Sequence, residues 1–265
     1  MRTRITIKFA TICVAVILIT SCASLLTPPS NIVSSSTPNY DSKNSKVTTT
    51  TSADGKTVTT VVVTDLYRRD PNEVRYITYY SWGNVVYSDG TMTDVQSAVD
   101  ASKTPIAVIF DPKNKLGVAL TEAKDLAWAK LHSTGYKTSF NTSTTSGKNN
   151  WDVIKAADPE GTSTAAKIAE NYPAFDYCNK YSAKGYTTGW YLPARDELKI
   201  LWSNKYSVNQ ALKKIKGAEL IPESSAEYWS SSQGEVSNCV WNQLAAGNQV
   251  DKMYKKSVRA IYDFK

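Results

Sequence analysis

Residues Pro105 to Phe110 read "PIAVIF", with no charge and no alternation of polar and apolar side chains. A continuous apolar run of this length marks a strand covered on both faces. "DPKNK" then turns the chain and "LGVAL" brings it back, which predicts a hairpin. Further strands are expected at "VRYITYY" (Val74 to Tyr80) before a turn at "YSDGT", and late in the chain at "EYWSSS", "NCVWNQL" and "SVRAIYDF". Helical patterns lie between. "TEAKDLAWAKL" has helical spacing at Ala123, Leu126, Ala127 and Lys130, and residues 133–150 are Ser/Thr/Asn/Gly-rich and read as a long loop. Thr162 or Ser163 opens "AAKIAEN", and Pro173 suits the first turn of "AFDYCNKYSA". In "GWYLPARDELKILW", Gly189 to Trp202, Pro193 plays the same part. Asp196 and Glu197 then fall in the first turn, where carboxylates complement the helix dipole. Leu198, Leu201 and Trp202 form its apolar face. "SVNQALKKIKG" has Ser207 as N-cap, Gln210 completing a capping box and Gly217 as C-cap. Strands at both ends with helices between predict an α+β domain whose termini meet in one sheet.

The N-terminus has a different character. Arg2, Arg4 and Lys8 precede an apolar run from Phe9 to Ile19, and Thr20-Ser21-Cys22 follows. This is the layout of a secretory signal, too short for a comfortable membrane span. It resembles a bacterial lipoprotein signal, in which small residues precede a cysteine that is acylated and becomes the mature N-terminus. That resemblance makes residues 1–21 a signal peptide and Cys22 the lipid-attachment site. An ordinary cleaved signal and an uncleaved anchor are the alternatives. Residues 22–46 are rich in Ser, Thr, Pro and Asn and read as a flexible tether. In residues 47–66 two β-branched runs flank Ala53-Asp54-Gly55-Lys56, which predicts a hairpin. The compact domain is expected over residues 74–265.

Charge and residue supply limit the chemistry. Removal of residues 1–21 takes away three cations and no acid, so the formal charge falls from +7 to +4. No basic stripe with interleaved aromatics is present, and nucleic acid is not an expected partner. With Cys13 lost and Cys22 lipidated, Cys178 and Cys239 remain in a compartment that permits disulfides. Either they close a 61-residue loop, worth about 4 kcal/mol before strain, or they lie apart as buried thiols. His132 is the whole imidazole supply.

Several motifs occur in one order: "VVYSDGT", "TPIAVIF", "DPEGTSTAAKI", "YPAFDYC", "GWYLPARDEL", "VNQALKKIKG", "YWSSS", "VW" and "VRAIYDF". This succession resembles the bacterial extracytoplasmic family called DUF1566, or Lcl C-terminal-like, over about residues 74–265. The resemblance implies a C-type-lectin-like fold with mixed and antiparallel sheets, similar in architecture to the formylglycine-generating enzymes. Those enzymes use copper-bound cysteines, and Cys178 and Cys239 do not reproduce such a pair, so no cofactor and no metal are expected. Asp196 and Glu197 read as helix frame, and Ser230-Ser231-Ser232 as strand end with only His132 available as a histidine base. His132 itself reads as a surface residue at a helix C-terminus. Calcium-dependent sugar sites in C-type lectins contain Trp-Asn-Asp. Here Trp241-Asn242-Gln243 puts an amide where the carboxylate would stand. The chain is therefore expected to be a non-catalytic envelope lipoprotein, held to the membrane (the outer membrane by expectation) through its lipid. Its domain would bind or adhere to a glycan or protein ligand. A structural component contacting other envelope proteins is the alternative, and a formylglycine-generating-type enzyme the more distant one.

Overall fold

The computed structural model describes residues 72–222, 227–242 and 249–265, together with the backbone of three earlier strands. Cys22, most of the expected tether, the Asp54-Gly55 turn and Gln243 lie outside the described residues. The chain divides into two units, Met1–Asp70 and Pro71–Lys265. In the first unit, β1 (Val16–Thr20), β2 (Ser45–Thr51) and β3 (Thr57–Val63) form an antiparallel sheet in the order β1-β3-β2. Val47 pairs with Val61 and Thr51 with Thr57, so the two β-branched runs face each other as a hairpin. β2 starts two residues inside the expected tether, and β1 lies within the segment read as a signal.

The second unit opens with short strands β4 (Tyr76–Ile77), β5 (Val85–Tyr87) and β6 (Met92–Thr93). The apolar hairpin follows as β7 (Pro105–Asp111) and β8 (Leu116–Ala119), then β9 (Ala123–Ala127). Five helices come next: α1 (Asn150–Ala157), α2 (Ala165–Asn171), α3 (Pro173–Lys180), α4 (Arg195–Ser203) and α5 (Lys205–Leu212). The chain closes with β10 (Trp229–Gln233), β11 (Cys239–Asn242), β12 (Gln249–Asp251), β13 (Lys255–Val258) and β14 (Ile261–Asp263). This is a mixed α+β unit with antiparallel sheets. The largest sheet has the order β14-β8-β7-β5-β6-β4, so the first and last strands of the unit share one sheet at its opposite edges.

β7 is covered on both sides, as its sequence requires. Ala107 and Ile109 enter one core with Trp128, Phe175 and Trp190. Val108 and Phe110 enter a second core with Leu198, Leu201, Val208 and Leu212 of α4 and α5. From Ala107 to Phe110 alternate side chains thus meet different layers, the strand's period of two expressed as two cores, while Ile106 lies in the same core as Ala107.

Several expectations are corrected. Residues 121–131 are not a helix: β9 pairs with β13, Ala127 opposite Lys255 and Leu126 opposite Lys256. Asp125 takes a left-handed φ of 58°. That kink breaks the strict alternation, so the apolar positions fall at a spacing that imitates a helix. Within 133–150, Thr134–Lys137 forms a 3-10 turn, and α1 begins at Asn150 where only loop was expected. Trp151 of α1 stacks on Phe175 at 5.0 Å, a contact its local pattern does not signal. "VRYITYY" contributes only two strand residues. α2 is capped by Thr164, whose side chain accepts from the Lys167 N–H. Pro193 precedes the α4 cap, Ala194, and uses its carbonyl to accept from the Ser231 N–H at 2.8 Å. α5 starts after Asn204, placing Ser207 inside the helix, and Gly217 (φ 81°) turns the chain beyond it. "SVRAIYDF" divides into β13 and β14, which join different sheets.

Gly83 and Gly90 share a left-handed backbone, with φ of 78° and 81°. A Cβ on Gly83 would lie 2.7 Å from the Ser207 carbonyl oxygen and 2.8 Å from Val95 Cγ2, whereas one on Gly90 would meet nothing within 4 Å. Gly90→Ala should therefore cost only the conformational penalty of about 1–2 kcal/mol. Gly83→Ala should cost roughly 3 kcal/mol or more, because overpacking adds to it. Urea unfolding of the two variants measures the difference.

Candidate functional site

Of the residues singled out in the sequence as chemical candidates, the three serines and Glu197 are buried and already bonded, and Cys178 is buried in the core. Ser230, Ser231 and Ser232 lie inside β10 with no exposed surface. Ser230 Oγ donates to the Trp241 carbonyl at 2.5 Å, and Ser231 Oγ accepts from Asn150 Nδ2 at 2.8 Å. Ser232 Oγ donates to the Ser143 carbonyl at 2.8 Å and accepts from the Arg195 N–H at 3.0 Å. The run thereby staples the 142–150 loop to the start of α4. His132 is exposed and sits in a turn rather than at a helix end, with Nε2 3.4 Å from Glu170 Oε1.

Glu197 is the second staple. Its Oε2 accepts from the Ala194 N–H at 2.7 Å and the Gly147 N–H at 2.9 Å, and its Oε1 accepts from the Tyr191 hydroxyl at 3.1 Å. Burial raises its carboxyl above the ordinary range, and those three donors pull it back only in part. Burial also pushes the Tyr191 hydroxyl up, with Glu197 adding to it. Asp196, by contrast, is partly exposed and pairs with the Arg195 guanidinium at 3.0 Å.

Cys178 and Cys239 are separate thiols in the structure, so the bridge considered between them is not formed there. Cys178 is held in the core by α3, and burial raises its thiol well above the usual value. Cys239, on β11, is half-buried; desolvation raises its thiol, and Asp251 adds to that. Trp241 is partly buried under the Arg195 guanidinium, 5.1 Å from the ring centre. Among the described residues no three His, Cys, Asp or Glu side chains stand together as a metal site. No described helix is long and apolar enough to cross a membrane.

Two features were not singled out in the sequence. The first is Lys252, fully buried. Its Nζ donates to the Thr138 carbonyl at 2.7 Å and the Gly135 carbonyl at 3.0 Å, and lies 4.8 Å from the ring centres of both Trp128 and Phe140. Its own carbonyl accepts from the Trp128 N–H at 2.9 Å. Asp251 beside it receives the Tyr136 hydroxyl and Asn238 Nδ2, each at 2.8 Å. Lys252 therefore closes the 133–140 loop onto the last strands. A lone lysine in a polar stretch gives no warning of this.

The second is a set of exposed aromatics on segments that meet at the end of β7. The Gly83 N–H donates to the Ile109 carbonyl at 2.8 Å. Asn204 Nδ2 donates to the Phe110 carbonyl at 3.4 Å, and Gly83 lies against Ser207. Three segments (79–83, 111–115 and 202–207) converge there. Tyr79 is 63% exposed, Trp82 52% and Tyr206 75%. The bunched aromatics in "YITYYSW" were the available signal, masked by reading the stretch as a strand. Comparisons with family models, curated proteins and solved structures find no match to this chain.

Burial brings the Lys252 ammonium down to about 7, with Cys239 and Asp251 opposing the shift. An unfolded lysine titrates near ~10.4. The fold thus disfavours the charged form. Its cost is complete below about pH 7 and shrinks as pH rises toward ~10.4. Wild type should gain stability over Lys252→Met between pH 7 and 9.5, by at most about 1.4 kcal/mol per pH unit. Urea unfolding of both chains across that range tests the sign.

Proposed function

We propose that this chain is a non-catalytic cell-envelope lipoprotein whose folded unit, of C-type-lectin-like architecture, binds or adheres to a ligand. The single observation that carries the reading is the exposure of Tyr79, Trp82 and Tyr206, on two segments that meet where Gly83 lies against Ser207. Large aromatic side chains in water lose the stabilisation that burial would give them. Held on a folded scaffold, exposed rings supply wide contact area at low conformational cost, as in recognition surfaces. The serines and Glu197, meanwhile, spend their polar atoms on holding loops. That use supports a scaffold rather than a reaction centre.

The anchor and the surface are tested separately. Mass spectrometry of the mature N-terminal peptide should find acylated Cys22; an unmodified N-terminus downstream of it would remove the lipoprotein part. On a glycan array the protein should bind a subset of glycans, and Trp82→Ala should lose that binding by about tenfold or more. An array on which Trp82→Ala binds as wild type does would remove the aromatic surface from the reading.

A further inference from the structure

We infer that β3 (Thr57–Val63) pairs edge to edge with β3 of a second copy of this chain once residues 1–21 have been removed, so that two hairpins form one four-stranded antiparallel sheet. This rests on the lipoprotein reading, which places the mature N-terminus at Cys22. β1 (Val16–Thr20) lies wholly within the removed segment, and it holds one side of β3 in the order β1-β3-β2. Its pairs run from Val16 opposite Val62 to Thr20 opposite Val58. Cleavage therefore strips the stretch from Val58 to Val62 of its partner on that side and leaves a two-stranded ribbon. Such a ribbon alone is marginal in water, and three or more strands are needed for independent stability.

The freed edge has none of the features that keep edges apart. β3 reads "TVTTVVV", without charge, proline or glycine, and its ladder to β2 runs from Ser45–Val63 to Thr51–Thr57 with no bulge. β2, which is an edge already, carries Lys46. The freed edge is also complementary to itself. About a two-fold axis at Thr60, Thr60 meets Thr60 of the second copy, and Thr59 meets Val61, Val58 meets Val62 and Thr57 meets Val63 from one copy to the other. These pairs join residues of the same parity. The N–H and C=O groups that point out of β3 along the sheet therefore meet groups that point out of the copy, as an antiparallel ladder requires. The vacated stretch is centred on the same residue: Leu18 of β1 stands opposite Thr60, and Thr60 of the second copy takes its place. Both outer edges of the four-stranded sheet are then β2 strands, each with its lysine, so the assembly closes at two copies. Reach allows it. From Cys22 to Ser45 there are 23 steps (45 − 22), which span at most about 80 Å. Anchoring to one membrane raises the effective concentration of the copies for each other.

The full chain, residues 1–21 included, is expressed in a bacterium and extracted from its membranes in detergent, and the N-terminal peptide is identified by mass spectrometry. Sedimentation should show a dimer of the processed chain. Thr60→Cys, oxidised in intact membranes, should give a disulfide-linked dimer, since opposed Cα atoms in an antiparallel ladder lie about 4.5–5.5 Å apart, within disulfide reach. Wild type, with its own Cys239, supplies the background. Thr57→Cys sets its two copies ~20 Å apart along the sheet and should stay at that background. Thr60→Lys and Thr60→Glu should each raise the dissociation constant about fivefold or more, because like charges directly opposite destabilise a ladder. Mixing the two variants should restore the dimer, which a folding defect would not allow. Residues 1–21 still attached would overturn the lipoprotein reading and the inference with it. A monomer from which they are gone would overturn the inference alone. So would crosslinking at Thr57→Cys equal to that at Thr60→Cys, the mark of a parallel pairing, or a Lys/Glu mixture that stays monomeric.

Discussion

β7 cannot lie on a surface. Its side chains from Ile106 to Phe110 are all apolar and all fully buried, so both faces of the central sheet must be covered. Covering one face calls on α4 and α5, whose Leu198, Leu201, Val208 and Leu212 meet Val108 and Phe110. Covering the other calls on Trp128, Phe175 and Trp190 against Ala107 and Ile109. The helices between the two groups of strands are therefore fixed in place by a single strand's composition. At about 1.5–3 kcal/mol for each large apolar side chain removed from water, this burial is the main attraction holding the unit together.

The long connections created by that arrangement are held by polar atoms rather than by more core. The loop between residues 142 and 150 is bonded by Ser231, Ser232 and Glu197, and the loop between 133 and 140 by Lys252. Buried polar groups of this kind must be satisfied or they cost free energy, and each here is answered by a backbone group or a partner side chain. The same residue types that suggest chemistry in a linear reading, serines in a row and paired acids, are thereby committed to the architecture. What stays exposed on the segments held at the end of β7 by the Gly83–Ile109 and Asn204–Phe110 bonds includes the rings of Tyr79, Trp82 and Tyr206.

The sequence by itself determined the apolar hairpin, the α+β class, the start of α3 and the acids in the first turn of α4. Those features depend on neighbours within a few residues: a continuous apolar run, a proline that fixes φ, and acids in a first turn. It also carried the unusual density of aromatics near residue 80. Tertiary structure alone decided that 123–127 is a strand, because its hydrogen-bond partner is β13, at the far end of the chain, and the left-handed Asp125 disguises its period. It alone brought Gly83 against Ser207 and turned Lys252 inward between two rings. Local pattern reports which side chains prefer water. Which of them meet is set by long-range pairing and by the need to cover both faces of β7, and neither is written in any short stretch of the chain.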